Sequence, residues 1–326
     1  MTETEKEDRL FAKYATYFVS DKLPVPEELN DLVSYHRDLE GVERRIEKTV
    51  QSRINNYDIY TKYLKHIKGI GPMFSANLIA MLSPIERFPK PSSVTAYVGL
   101  TGEHYEVECK KGHKTLYSSV PTSCRVRITL DNGESFGESR EPCGAEIERI
   151  TKIKGAMKRK KGYTMMINTN LKTLMFKIGN SFEKQSDSFY RNLYVQWKNE
   201  ALARYDPEEK GYKMHARLTA IRKMSHRFLI DLYVNWMYGL GSEKTPYEAT
   251  MEGHTIIPME LDDGARLPQK GEIKPIDDKA LWSIKRLFTQ YYDVQKLRIA
   301  SFNQIVSWCK ENRNILPEFP EDKKKD

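Results

Sequence analysis

A five-residue break, Lys68-Gly69-Ile70-Gly71-Pro72, divides two apolar helical runs within residues 60–82 and leaves this stretch few ways to fold. Two glycines allow the positive φ and tight turn that a Cβ resists. A proline directly after them suits the first turn of a helix, where its missing N–H costs nothing. Leu64 and Ile67 before the break, and Leu78 and Ile79 after it, supply core faces, with Ile70 expected to point inward and Ala76 to lie where the helices cross. The pattern is that of a helix-hairpin-helix. Backbone N–H groups at Gly69, Gly71 and the start of the second helix would then form an anion site, one that reads phosphate and not base. The plainer reading is a glycine-rich turn between two core helices.

Around this break the periodicities predict a mainly α chain with a small β-hairpin or zinc-ribbon-like insertion and long N- and C-terminal helices. Residues 1–59 read as an N-terminal helical or coiled-coil segment. Leu32, Leu39 and Ile46 are spaced by seven, with Leu29, Tyr35, Val42 and Val50 in the same seam and charged residues on the flanks. Such a seam fits either an amphipathic helix packed on its own domain or a self-associating coiled coil, hence a homodimer. Residues 60–104 are the first half of the helix-hairpin-helix domain, and 105–150 are a Cys/His insertion in which Arg125–Leu130 alternates as a strand. Asp131-Asn132-Gly133 is a hairpin turn signal. Residues 151–240 are a basic helical second half, broken near Tyr205-Asp206-Pro207 and Gly211. Residues 241–277 read as a loop or β-ribbon, and 278–326 as a helix that Asp278 could cap, with a disordered tail.

Inside the insertion, Cys109, His113, Cys124 and Cys143 supply four ligands of the types zinc prefers. Gly144 suits the tight turn of a zinc knuckle, and the hairpin would fold Cys143 back towards Cys124. There is no CxxC pair, and the alternative is three small buried hydrophobes; His104 is a substitute ligand. A zinc held by four protein groups would be structural. Three cysteines close together and a fourth, Cys309, far away make a poor pattern for secreted disulfides.

Charge points to the partner. The 326 residues carry a formal net charge of +8. Between 151 and 235 there are 18 Lys/Arg against 7 Asp/Glu, a surplus of 11, so the rest of the chain is slightly acidic. A polyanion is the expected partner. Lys158, Arg159, Lys160 and Lys161, with Lys68, Gly69, Ile70 and Gly71 and the helical Arg217, Arg222, Lys223 and Arg227, are the candidate DNA contacts; a solvated loop is the dull reading of the 158–161 run. Trp197, Trp236, Tyr190, Tyr194 and Tyr233 fall at core spacing. No stretch approaches the length of a membrane span, and the acidic start is no secretory signal, so a cytoplasmic location is expected.

Lys68-Gly69-Ile70-Gly71-Pro72, then Ala76, Leu78-Ile79-Ala80, Ile85-Glu86-Arg87-Phe88, Tyr97-Val98-Gly99-Leu100, Leu171-Lys172 and Ala220-Ile221-Arg222-Lys223 follow one another in an order that resembles the C-terminal domain of insertion-sequence transposases related to the Piv DNA invertase. The resemblance covers about residues 60–238. It implies a DNA-binding helical domain. The family joins this domain through a coiled coil to an N-terminal RuvC-like domain with four acidic metal ligands, and the sixty or so residues before the motif are too few for one. The family's nucleophilic serine, followed by glycine, has its matching place at Lys152-Ile153-Lys154-Gly155-Ala156, which holds no serine; Ser118, Ser119 and Ser123 lie in the insertion.

No GxxxxGK[ST], HExxH or GxSxG pattern is present. The expectation is therefore a transposase-derived DNA-binding protein without catalysis of its own. Two other readings stand beside it: an active recombinase or metal-dependent nuclease using acids such as Glu260, Asp262, Asp263, Asp277 and Asp278, and a protein-interaction scaffold.

Overall fold

A computed structural model describes residues 3–129, 140–239 and 259–319, and the chain divides into two compact units. The first joins residues 1–53 to 278–326, so both ends of the sequence build one helical unit. The second spans Ile54–Asp277. The fold is mainly helical with a small sheet. Among the described residues no helix is long and apolar enough to cross a membrane.

In the first unit α1 (Glu3–Val19) and α2 (Asn30–Ile54) pack with α9 (Asp278–Glu311). Phe11, Ala15 and Phe18 of α1 meet Leu29, Val33, Ile305 and Cys309 in one core. Burial pushes the Cys309 thiol up to about 11, which keeps it protonated and inert. The partners of α2 run backwards along α9. His36 bonds Ser301 at 2.9 Å, Glu43 accepts from Gln295 at 2.8 Å, and Glu47 accepts from Tyr291 at 3.1 Å. The two helices are therefore antiparallel.

The heptad seam is thus rotated from its sequence expectation. Leu29, Leu39 and Val50 are buried, but Tyr35 is 46% exposed, while His36 and Glu43 lie inside. A carboxylate is tolerated there because Arg298 pairs with it at 2.7 Å. The partner of this face, within the unit, is the chain's own α9.

The second unit begins with α3 (Asp58–Lys62), a 3-10 turn at Leu64–His66, α4 (Pro72–Leu82) and α5 (Pro91–Val98). The run before the glycine break is thus a short helix followed by a 3-10 turn, not one α-helix. A four-stranded sheet follows, in the order β5-β1-β2-β6. It comprises β1 (Glu103–Cys109), β2 (Lys114–Tyr117), β5 (Ile147–Lys154) and β6 (Thr164–Met165), with only the β2–β6 pair parallel. The basic segment expected to be helical from 151 therefore starts as a strand. The short β3 (Arg127–Thr129) and β4 (Arg140–Pro142) pair antiparallel; the Asp131-Asn132-Gly133 turn lies outside the described residues. Residues 259–277 carry no strand.

The helical core is built from α6 (Thr169–Glu183), α7 (Phe189–Leu202) and α8 (Tyr212–Met237). Asn168 caps α6 by accepting the Leu171 N–H at 2.9 Å. Glycine at 179 lets α6 and α8 approach, since a Cβ there would stand 2.7 Å from Ile221 and 2.8 Å from Ser225. Phe182 and Tyr190 stack at 4.6 Å, with Phe228 edge-on to both. Each fully buried ring of this kind contributes about 1.5–3 kcal/mol. Beneath them Asp231 is held by Arg227 at 2.8 Å and by the Tyr190 hydroxyl at 3.0 Å. Burial raises its pKa to about 6, against the pull of Arg227. Tyr194, Tyr233 and Trp236 are buried as expected, and Trp197 is half-buried.

Candidate metal centre and nucleic-acid interface

Cys109, His113, Cys124 and Cys143 come from four separate places: the end of β1, the turn into β2, an irregular segment and the residue after β4. Their ligand atoms all lie within 4.8 Å of one another. His113 Nδ1 is 3.5 Å from Cys109 Sγ and 3.7 Å from Cys124 Sγ. Tetrahedral bonds of about 2.3 Å to sulfur and about 2.0 Å to nitrogen space such atoms by roughly 3.5 Å, so the donors stand where a metal would hold them.

The backbone prepares this arrangement. Gly112 and Gly144 take positive φ (77° and 66°) at the two tight turns. The Cys143 N–H donates to Val126 O at 2.8 Å and the Gly144 N–H to Cys124 O at 3.0 Å. Burial opposes charge on Cys109, yet N–H groups of His113 and Lys111 pull its thiol below the ordinary range. Burial instead pushes Cys124 up to about 11. His104 stands outside the cluster. Among the described residues no other group of three or more such side chains is placed to share an ion, so the acids of 260–263 and 277–278 do not assemble one there.

At the glycine break, Gly69 has φ +93°, and a Cβ on it would meet Phe182 at 3.1 Å and Ser181 Oγ at 3.2 Å. Its carbonyl accepts from Ser181 Oγ at 2.8 Å. Ile70 is 5% exposed and points inward, as expected. Gly71 departs from expectation: φ −88° and ψ 175° are open to any residue, and a Cβ meets nothing within 4 Å. Pro72 opens α4.

The Lys68 N–H donates to Asp262 Oδ2 at 2.7 Å, and the other oxygen of that carboxylate accepts the Phe189 N–H at 2.7 Å. Asp263 pairs with His66 at 2.6 Å, which holds its carboxyl below the usual range. Lys68 Nζ donates to Asp187 O at 3.0 Å. The segment after residue 258 thus presents acids to the turn. A carboxylate bonded to two N–H groups contributes about 1.5–3 kcal/mol per bond. Asp262→Ala, which removes both bonds, is expected to cost roughly 3–6 kcal/mol on the same basis and to speed amide exchange at Lys68 and Phe189. Unchanged exchange at both would show that the carboxylate does not hold them.

The basic candidates divide into two groups. On α8, Arg217 grips Glu183 with contacts at 2.9, 3.0 and 2.5 Å. Burial disfavours the Glu183 charge, but Arg217 and Tyr194 together hold its carboxyl below the ordinary value. Lys223 pairs with Glu200 at 3.4 Å, and Arg227 with Asp231. Arg222 has no hydrogen bond or ion pair among the described residues. The α8 cations therefore mostly serve the fold.

The second group, Lys158–Lys161, is exposed. Lys160 bonds both Glu106 oxygens, at 2.7 and 2.6 Å. Lys158, Arg159 and Lys161 have no ion pair among the described residues. Glu106 and Glu183, and the role of Asp262 in holding the glycine turn, went unpredicted because each lies far along the chain from its partner, and no local spacing marks the pairing.

Residues 61–115 match the family model of the transposase IS116/IS110/IS902 family. That stretch holds the glycine break, α4, α5, β1 and two of the four metal-ligand candidates, so this part of the chain is similar to that family. Neither curated proteins nor solved structures give a match.

Proposed function

We propose that this chain is a transposase-derived DNA-binding protein that grips the phosphate backbone through the exposed cations of residues 154–161. The Lys68–Gly71 turn, in a helix-hairpin-helix related to the Piv-type transposases, positions the duplex. The observation that carries this reading is the transposase-family match across the glycine break, beside Lys158, Arg159 and Lys161, which have no ion pair among the described residues. The N–H groups of Gly69 and Gly71 also have no hydrogen-bond partner among the described residues, which suits phosphate contact. The Cys/His cluster is read as a structural zinc site, since all four positions are protein ligands.

Binding should be compared on duplex, single-stranded and four-way-junction DNA and on RNA, each at several salt concentrations. A DNA affinity that weakens steeply with salt is expected; no shift at low salt on any of these would leave a protein-interaction scaffold. The family match also favours a second reading, DNA recombination. Nicking or strand exchange of supercoiled DNA with Mg²⁺, lost on replacing one serine or acidic residue, would establish it over binding alone.

A further inference from the structure

The run at 154–161 is pinned along its length, and this decides what it can do. Gly155 turns the chain at φ +108°. Its N–H donates to Gly102 O at 2.8 Å, and its carbonyl accepts from His104 Nδ1 at 3.3 Å. Met157 is 3% exposed and its carbonyl receives Lys172 Nζ at 2.7 Å. Lys160 is tied to Glu106 and lies 4.5 Å over the Tyr163 ring. A solvated tether would have none of these anchors.

The pinned run walls a cavity of about 420 Å³ against one face of the sheet. Register explains its floor: His104 lies opposite Ile153, and Glu106 opposite Leu116. Lys154, Lys158 and Arg159 line the wall with no ion pair among the described residues, while Lys160 is neutralised by Glu106. The floor therefore mixes Leu116 and Ile153 with His104 and Glu106, and the lining as a whole carries a surplus of three positive charges. Because the His104 Nδ1 proton goes to a carbonyl, Nε2 of this 7%-exposed ring is left as a second polar group of the floor.

We propose that this cavity seats one nucleotide unit by its terminal phosphate. A diester inside a strand carries one negative charge, whereas a phosphomonoester carries nearly two and three acceptor oxygens. The second species matches three cations around one cavity that have no ion pair among the described residues, because charge-assisted bonds to phosphate are the strong ones. Leu116 and Ile153 give the sugar or base apolar contacts beside His104 and Glu106, in a space of the size used for small ligands. The inference deepens the DNA-binding reading, adding recognition of a strand end to contact with its backbone.

The test uses the full chain and single-stranded 12-mers of one sequence ending in a 5′-phosphate, a 3′-phosphate or hydroxyls only, with deoxyadenosine monophosphate and deoxyadenosine as competitors. Expected is about tenfold tighter binding of a phosphorylated 12-mer, and displacement by the monophosphate but not the nucleoside. Lys154→Ala combined with Arg159→Ala should erase the preference, so that phosphorylated and hydroxyl-ended 12-mers bind equally and more weakly than to the parent, while the thermal midpoint holds. Equal affinity for all ends with no displacement overturns the cavity and leaves DNA binding intact. A preference that survives the double substitution overturns its assignment to this cavity. Monophosphate binding that the double substitution abolishes, without any DNA binding, sustains the cavity and sinks the broader reading. Binding of no probe overturns both.

Discussion

Cys124→Ser should reduce bound zinc from about one ion per chain to near none, and with it release the β3–β4 hairpin from the four-stranded sheet. The expectation follows from how little else holds that region. Cys124 lies on no strand, β3 and β4 have three residues each, and among the described residues the partly buried apolar side chains packed on the cysteines are Val126, Ala145 and Ile147. A bound metal would tie the end of β1, the next turn and both hairpin arms at one point. In small zinc domains such binding is worth about 10–16 kcal/mol and is inseparable from folding. Three thiolates and one imidazole select zinc over harder cations. Elemental analysis of protein purified without chelators measures the metal, and circular dichroism with limited proteolysis follows the hairpin. The helical core of α6 to α8 should keep its own transition, since the cluster touches none of these helices. Metal-free protein of unchanged stability would remove the centre, leaving three buried thiols.

What was legible in the sequence was local. Positive φ at Gly69, proline opening α4 and the buried Ile70 each follow from a residue and its near neighbours. The Cys/His cluster was also legible, because cysteine and histidine are scarce enough for four of them within 35 residues to stand out. The rest was settled by tertiary partners. Nothing around Glu43 announces that Arg298, on a helix near the other end of the chain, neutralises it inside the α2–α9 seam. Likewise, Arg217, Lys223 and Arg227 look like a cationic stripe until Glu183, Glu200 and Asp231 are placed against them. A helix periodicity shows which face is basic; it does not show which charges the fold has already used. The unneutralised cations are found only by locating every carboxylate first.

That distinction fixes the second large effect. If Lys158, Arg159 and Lys161 contact DNA phosphates together with about one further group, the log–log dependence of affinity on salt should have a slope of roughly −3.6, about −0.9 for each of four phosphates. Replacing those three residues with alanine should flatten the slope to about −1 and weaken binding roughly a hundredfold near 0.15 M salt, on the same counterion arithmetic. All three side chains are exposed, so stability should not change. Lys160→Ala should move the slope by much less, because Glu106 already neutralises that ammonium in the free protein. Arg217→Ala should show the opposite pattern. The slope stays, but stability falls by about 1–3 kcal/mol, because the Glu183 carboxylate, whose side chain is only 18% exposed, loses its charged donor. Salt titrations of the four proteins, with a denaturation curve for each, separate these cases. A triple variant that keeps the parental slope would show that phosphate contact lies elsewhere on the chain. The one candidate helix cation without a hydrogen bond or ion pair among the described residues, Arg222, would then be the next to replace.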